Sequence, residues 1–191
     1  MDALTLLKSD HDIVRELFSQ FKQAKEAGAA ARMSALQRRI FSELEIHTGI
    51  EEEVFYPEAE AVGGKAKELV AEGVEEHHVV DVLMSEIREL SPAEDVWIAK
   101  MTVLIENVEH HADEEESELF PQLRKSFGDE RLERMGTKLA AAKQRREAGP
   151  EPADQEIDLT RDELYAKAQE LDIEGRSSMT KDELAEAIKQ S

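Results

Sequence analysis

HTGIEEEVFYP, residues 47–57, and HADEEESELFP, residues 111–121, are two writings of one motif. They share His at the first place, Glu at the fifth and sixth, an apolar-aromatic pair (Phe55–Tyr56, Leu119–Phe120) and Pro at the eleventh. Working outward, DHDIVRELF (10–18) matches EHHVVDVLM (76–84), which pairs His11 with His77. His11 stands 36 residues before His47, and His77 stands 34 before His111. The chain up to residue 147 therefore reads as two copies of one helical hairpin, each written as an upstream histidine followed by HxxxE.

Residues four apart lie on one helix face, one turn from each other. His47 with Glu51, and His111 with Glu115, can therefore aim at one point, and His11 and His77 each add an imidazole from the preceding helix. Apolar residues at helical spacing place helices at about 9–27, 30–61, 65–90, 92–126 and 129–146. Ser9 reads as the first N-cap, Gly28 and Gly63-Gly64 as breaks, and Ser91-Pro92 as a cap with Pro at the first helical position. Four long helices with short connections predict an all-α, up-down-up-down four-helix bundle, followed by a short fifth helix.

Four imidazoles and two carboxylates on the axis of such a bundle are costly without partners. A pair of metal ions supplies them, and bundle cores host carboxylate-bridged di-metal sites. Nitrogen and oxygen ligands without sulfur suit iron or manganese, with zinc and copper also open. For two octahedral ions, four imidazoles, two bridging carboxylates and a bridging oxide or hydroxide leave one position per ion, vacant, held by water or taken by a further side chain. Two side chains are candidates for it. Tyr56 stands where the second copy has Phe120, and Asp81 lies one turn beyond His77. Tyr56 is nine residues from His47, on the opposite side of an ideal helix, unless Pro57 distorts that turn.

Other features read more plainly. His78 and His110 neighbour the site histidines but point about 100° away from them. The acidic runs Glu51–Glu53 and Glu114–Glu116 read as solvated face apart from Glu51 and Glu115. Pro57 and Pro121 read as helix ends or kinks, and Met33, Met84, Met101, Met135 and Trp97 as ordinary core or surface.

The composition bounds the function. Of 191 residues, 44 are acidic and 24 basic, a net charge of −20, which opposes a phosphate-tracking surface and attracts cations. No cysteine is present, which excludes disulfides, thiolate metal sites and thiol nucleophiles. No basic-then-apolar leader and no apolar run of membrane-spanning length occurs, so a cytoplasmic chain without a membrane partner is expected. Serine nucleophiles, phosphate-cradling glycine loops and paired glycosidase carboxylates have no support.

Over residues 4–145 the pattern HTGIEEEVFYP, EHH and HHADEEESELFP resembles the hemerythrin family, in its bacterial form often called the HHE cation-binding domain. The resemblance implies two non-haem iron ions, bridged by oxide or hydroxide, that react with dioxygen, hydrogen peroxide or nitric oxide. The metal ligands it carries over are His11, His47, Glu51, His77, His111 and Glu115. Oxygen-carrying hemerythrins have a fifth histidine where this chain has Asp81, and they space the last pair as HxxxxD rather than HxxxE. Those departures count against reversible carriage, and open positions on both irons, where peroxide could bind, favour peroxide chemistry, catalase-like or peroxidase, over carriage. Binding or sensing of oxygen or nitric oxide, and iron handling, are the other classes.

Residues 148–156, with two prolines, read as a linker to a small unit at 157–191. Helical stretches near 160–171 and 180–190 open on capping boxes, Thr160 with Glu163 and Thr180 with Glu183. They flank a loop at 172–179, where Gly175 allows a tight bend. LYAKAQELDIEGRSSMTKDELAEAI resembles the helix-extended-loop-helix module at the N-terminus of transcription termination factor Rho. That resemblance implies nucleic-acid binding. Eleven acidic against five basic residues from 154 onward, with only Arg176 and Lys181 basic near the loop, oppose it. A protein-docking module is the expectation preferred here.

Overall fold

The carboxylate of Asp2 sets the start of the first helix. Its Oδ1 accepts the N–H of Thr5 at 3.0 Å and caps α1, Ala3–Glu26. The start expected at Ser9 is therefore too late. Leu4, Leu6 and Leu7 continue the apolar stripe towards the N-terminus, and Ser9 is an exposed residue inside the helix. The computed structural model describes residues 1–92 and 94–148 and, beyond them, residues 164, 165, 168, 169, 173, 176, 179–181, 183, 184 and 187.

Gly28, at φ 63°, ends α1 in the left-handed conformation that glycine adopts without steric cost. The second rod is α2, Ala30–Ile50, a π-helical turn, Glu51–Phe55, and α3, Tyr56–Glu60. Gly63 and Gly64, at φ 75° and 55°, break the chain before α4, Gly64–Arg88. The fourth rod is α5, Asp95–Glu114, a second π turn, Glu115–Leu119, and α6, Phe120–Ser126. It starts later than the expected Pro92, which sits in an exposed turn. There the N–H of Glu94 donates to the carbonyl of Ser91 at 3.2 Å, and the helix begins at Asp95.

α1 packs against α2 and α4 against α5, giving the up-down-up-down bundle. A fifth helix, α7, Asp129–Glu147, lies against α1 and α2. It approaches so closely that a Cβ on Gly136 would collide with the backbone of Met1–Ala3. Two apolar clusters fill the bundle. One gathers Leu4, Leu7, Phe55, Tyr56, Phe120 and Leu139, and the other Phe18, Phe21, Ile40, Met84, Trp97 and Met101. Large side chains buried this completely contribute about 1.5–3 kcal/mol each. The histidines fall between the two clusters: His11 between Leu7 and Val14, and His47 between Leu44 and Ile50. No described helix is long and apolar enough to cross a membrane.

The chain divides into two compact units, Met1–Glu147 and Ala148–Ser191. Within the second, Leu164, Ala168 and Leu184 are buried together, with Tyr165, Ile173 and Met179 packed on them. The capping box at Thr180 is formed: the N–H of Thr180 donates to Glu183 Oε2 at 2.8 Å, and the N–H of Glu183 to Thr180 Oγ1 at 3.3 Å. Thr160, Glu163, Gly175 and most of the linker lie outside the described residues.

Candidate metal centre

All four rods meet at one polar layer. His11 comes from α1, His47 from α2, His77 from α4 and His111 from α5, while Glu51 and Glu115 open the two π turns. None of the six is more than 6% exposed. The Nε2 atoms of His11 and His47 stand 3.0 Å apart, and those of His77 and His111 3.2 Å. The two carboxylates span these pairs. Glu51 places Oε1 3.3 Å from His47 Nε2 and Oε2 3.4 Å from His77 Nε2. Glu115 places Oε2 3.4 Å from His11 Nε2 and Oε1 4.0 Å from His111 Nε2. Two sets of ligand atoms are gathered closely enough to surround an ion: His11, His47, Glu51 and Glu115, and Glu51, His77 and His111.

The donor set fits a cation. Both oxygens of Glu51 and both of Glu115 are buried and, among the described residues, accept no hydrogen bond. An unsatisfied buried polar group costs about 1–3 kcal/mol, more if charged. Two nitrogens each about 2.1 Å from one ion and at right angles stand about 3.0 Å apart, which matches both imidazole pairs. The protein without cations is electrostatically strained here. Burial and the neighbouring Glu115 push Glu51 well above the usual carboxylate range. Burial would raise Glu115 too, but the charges of His111, His11 and His47 hold it low. Burial drives His47 down to about 4.

Three of the four outward nitrogens are held by carboxylates at hydrogen-bond distance, as is usual for metal-binding imidazoles. Nδ1 of His11 faces Glu116 Oε1 at 3.0 Å, Nδ1 of His77 faces Glu52 Oε1 at 2.9 Å, and Nδ1 of His111 faces Glu76 Oε2 at 2.7 Å. Nδ1 of His47 faces Asp10 Oδ2 at the longer distance of 3.8 Å. In His11, His77 and His111, donation from Nδ1 to the carboxylate leaves the Nε2 lone pair pointing inward. Glu52 and Glu116 are thus not mere solvated face. The sequence carried the signal: both repeats have Glu at the sixth place, and an acid precedes both His11 and His77.

The π turns change the phase of the helix and so decide the fate of Tyr56. In an α-helix nine residues advance by half a turn. A π turn takes up about one extra residue and sets the phase back by about 100°. Tyr56 N–H reaches back to Glu51 O, and Phe120 N–H to Glu115 O, each five residues away. The prolines that follow are a physical reason: Pro57 and Pro121 lack an N–H, and their rings would crowd the carbonyl four residues back in a tight helix. As a result the Tyr56 hydroxyl enters the site, 3.3 Å from His77 Nε2 and 3.5 Å from His111 Nε2. Gly73 on α4 makes the room, since a Cβ there would lie 2.7 Å from that hydroxyl. Burial and the charges of Glu115 and Glu51 push the phenol well above its ordinary range. Asp81 is exposed and does not join the cluster, because the step from His77 to the next turn leads out of the core at that position. His78 and His110 are exposed as well.

On the far side of the imidazoles from Tyr56 lies a cavity of about 20 Å³, bounded by Val14, Phe18, Leu44, Val80 and Val108. That is room for about one water-sized molecule, against a wall of hydrocarbon.

Comparison with known proteins follows the same outline. The model of the hemerythrin HHE cation binding domain matches residues 2–123, and that of the Rho termination factor N-terminal domain matches residues 158–191. An uncharacterized protein of Mycobacterium tuberculosis is 32% identical over 149 residues, covering 74% of this chain and 84% of its own. A DNA nickase of Nostoc is 27% identical over 143 residues, 75% of this chain, but the match spans only 39% of the nickase. The crystal structure of a hemerythrin HHE cation binding domain-containing protein from Mycobacterium kansasii superposes with a TM-score of 0.65 at 23% identity, covering 98% of this chain and 99% of that one.

Proposed function

The chain belongs to the hemerythrin HHE cation binding domain family, and from that premise we propose that it is a di-iron protein that decomposes hydrogen peroxide. The observation that carries the choice of reaction is the Tyr56 hydroxyl, 3.3 and 3.5 Å from the inner nitrogens of His77 and His111. It sets an oxygen donor beside His77 and His111, in a chain that has Asp81 where oxygen carriers of the family have a fifth histidine. A phenolate is a hard, anionic donor and favours ferric over ferrous iron, the state that meets peroxide rather than the state that binds dioxygen reversibly.

The chemistry balances without an outside donor. One peroxide leaves as dioxygen, giving up two electrons and two protons, and a second takes them and leaves as two waters. When bound, the iron pair supplies the two-electron reservoir between these halves. The residues do the rest. The four imidazoles, with Glu51 and Glu115, would hold the ions. Glu52, Glu76 and Glu116 fix three of the rings from behind. Val14, Phe18, Leu44, Val80 and Val108 supply the apolar lining of a pocket of about 20 Å³, which suits a ligand as small as peroxide. In the C-terminal unit the acidic surplus supports docking to a protein rather than to nucleic acid.

The test is an oxygen electrode with the iron-loaded protein and peroxide. The expected result is one dioxygen released per two peroxides consumed. Release no faster than that from the same iron free in solution would sink the reading. A reversible oxygenated spectrum with no peroxide turnover would favour the binding and sensing alternative.

A further inference from the structure

The family match ends at residue 123, before α7 begins at Asp129, yet α7 reaches the metal layer. Lys143 places its Nζ 2.6 Å from Oδ1 of Asp10. Asp10 is 6% exposed, and its other oxygen is the one that faces His47. Both Asp10 Oδ2 and His47 Nδ1 are buried and, among the described residues, have no hydrogen-bond partner. The other three site imidazoles are gripped by carboxylates at 3.0, 2.9 and 2.7 Å, so His47 is the ligand held least directly. Its carboxylate is also the one tied to a cation from outside the four rods. In the second repeat Glu76 takes the place of Asp10, and its spare oxygen lies 4.0 Å from His110, with no lysine paired to it among the described residues.

We propose that Lys143 is a positioning residue for His47, acting through Asp10. The ammonium fixes one oxygen of a buried carboxylate that has no other close partner, and so fixes where the second oxygen stands behind the imidazole. Without that anchor Asp10 turns towards whatever cation or water it can reach, and His47 loses the group that orients it. The fifth helix is then part of the metal centre and not only a cover for α1 and α2. The rest of α7 is held independently of this contact: Arg131 and Lys138 pair with Glu58, and Arg145 and Arg146 with Glu53. The inference rests on His47 being a metal ligand, whichever reaction the site performs.

The experiment follows loss of iron from the loaded full chain to an excess of chelator, together with the optical spectrum. Lys143→Met should release one of two ions roughly tenfold faster, the low end of the effect of losing an outer partner of a ligand. Lys143→Arg, which keeps the charge, should return the rate to within about twofold of wild type. Lys138→Met, which loosens α7 without touching Asp10, should leave it unchanged. Asp10→Asn should act like Lys143→Met, and the double variant Asp10→Asn/Lys143→Met should be no faster than Asp10→Asn alone. That double variant also leaves no buried charge unpaired, which keeps the test open if Lys143→Met folds poorly. Release of both ions from Lys143→Met at the wild-type rate overturns the inference, as does equal acceleration by Lys138→Met. A wild-type protein that takes up no metal overturns the metal reading and this inference with it, whereas a loaded wild type with an unaltered Lys143→Met overturns this inference alone.

Discussion

Gly73→Ala is the sharpest probe of how the Tyr56 hydroxyl reaches the site. In a helix interior, Ala in place of Gly stabilises by about 1 kcal/mol. Here the added Cβ would stand 2.7 Å from Tyr56 Oη, inside any tolerable contact, with Tyr56 Cζ and His111 Cε1 next at 3.3 Å. The tyrosine ring has little freedom to retreat, since it stacks on His77 with centroids 5.3 Å apart and packs against Phe55 at 5.9 Å. Overpacking of this kind costs about 1–3 kcal/mol, so the net change in the metal-free protein is a loss of about 0–2 kcal/mol. Tyr56→Phe removes the 2.7 Å contact and leaves only those at 3.3 Å, which a few tenths of an ångström relieve. In that background Gly73→Ala should be neutral or stabilising by up to about 1 kcal/mol. The double-mutant cycle therefore predicts a coupling of up to about 3 kcal/mol, about 1.5 kcal/mol at mid-range, read by thermal unfolding as a difference of several degrees. In the iron-loaded protein the single variant should also weaken a tyrosinate-to-iron absorption band. A coupling below about 0.3 kcal/mol, with Gly73→Ala stabilising both backgrounds equally, would refute the placement of the hydroxyl against Gly73.

Three further outcomes follow from the same geometry. Metal removal should lower the unfolding midpoint, because the four unpartnered oxygens of Glu51 and Glu115 are then left buried; at a thousandfold excess of metal over Kd the bound form gains about 4 kcal/mol, and calorimetry with and without chelator reads it. Phe120→Tyr should bring a second hydroxyl to the His11 half, since the Phe120 ring stacks on His11 at 6.0 Å and 8°; peroxide turnover should fall while tyrosinate absorption grows, and an unchanged spectrum would count against the paired roles of the two positions. Asp2→Ala should cost about 1 kcal/mol at neutral pH through the lost helix cap. Burial raises Asp2, but the Thr5 hydrogen bonds outweigh it and hold the folded carboxyl below its ordinary value. The cap therefore contributes fully above an unfolded pKa of about 3.9 and fades as pH falls through the lower folded value; urea titrations from pH 7 downward should show the gap between the two proteins closing only there.

The bundle and the convergence of six polar side chains were legible because duplication wrote each feature twice. A single HxxxE reads as a surface pair, whereas two in register with upstream histidines define an axis. What escaped the sequence depended on breaks in ideal geometry or on contacts between helices. Tyr56 stands out in the sequence as the break in the repeat, but phase counting on an ideal α-helix puts it opposite His47; Pro57 signals a distorted turn without showing that it is a π turn that brings the hydroxyl round. Glu52 and Glu116 looked like solvated face because a residue beside a ligand points away on its own helix, yet each meets a histidine of a neighbouring rod. Asp81 failed for the complementary reason: the spacing was right, but that face of α4 is exposed by the time the chain reaches it. Lys143 had no sequence signal at all, since the contact joins residues 133 apart and only the docking of α7 creates it.

The duplication also shows where the two halves have parted. With His11 set on His77, Leu7 falls on Gly73, and with His47 set on His111, Tyr56 falls on Phe120. In one half a buried leucine belongs with a phenylalanine in the same apolar cluster, and in the other an empty glycine position belongs with a tyrosine hydroxyl. The two changes make sense only together: a tyrosine facing a leucine would have no room for its oxygen, and a glycine facing a phenylalanine would leave a cavity costing about 1 kcal/mol or more. A third difference, Asp10 with Lys143 against Glu76 with His110, falls behind His47 in the half that lacks the tyrosine. The symmetric part of the molecule thus gathers six buried polar side chains, and the asymmetric pairs make its two halves unequal, one with a tyrosine hydroxyl beside His77 and His111 and the other with His47 backed by a carboxylate that pairs with a lysine of the fifth helix.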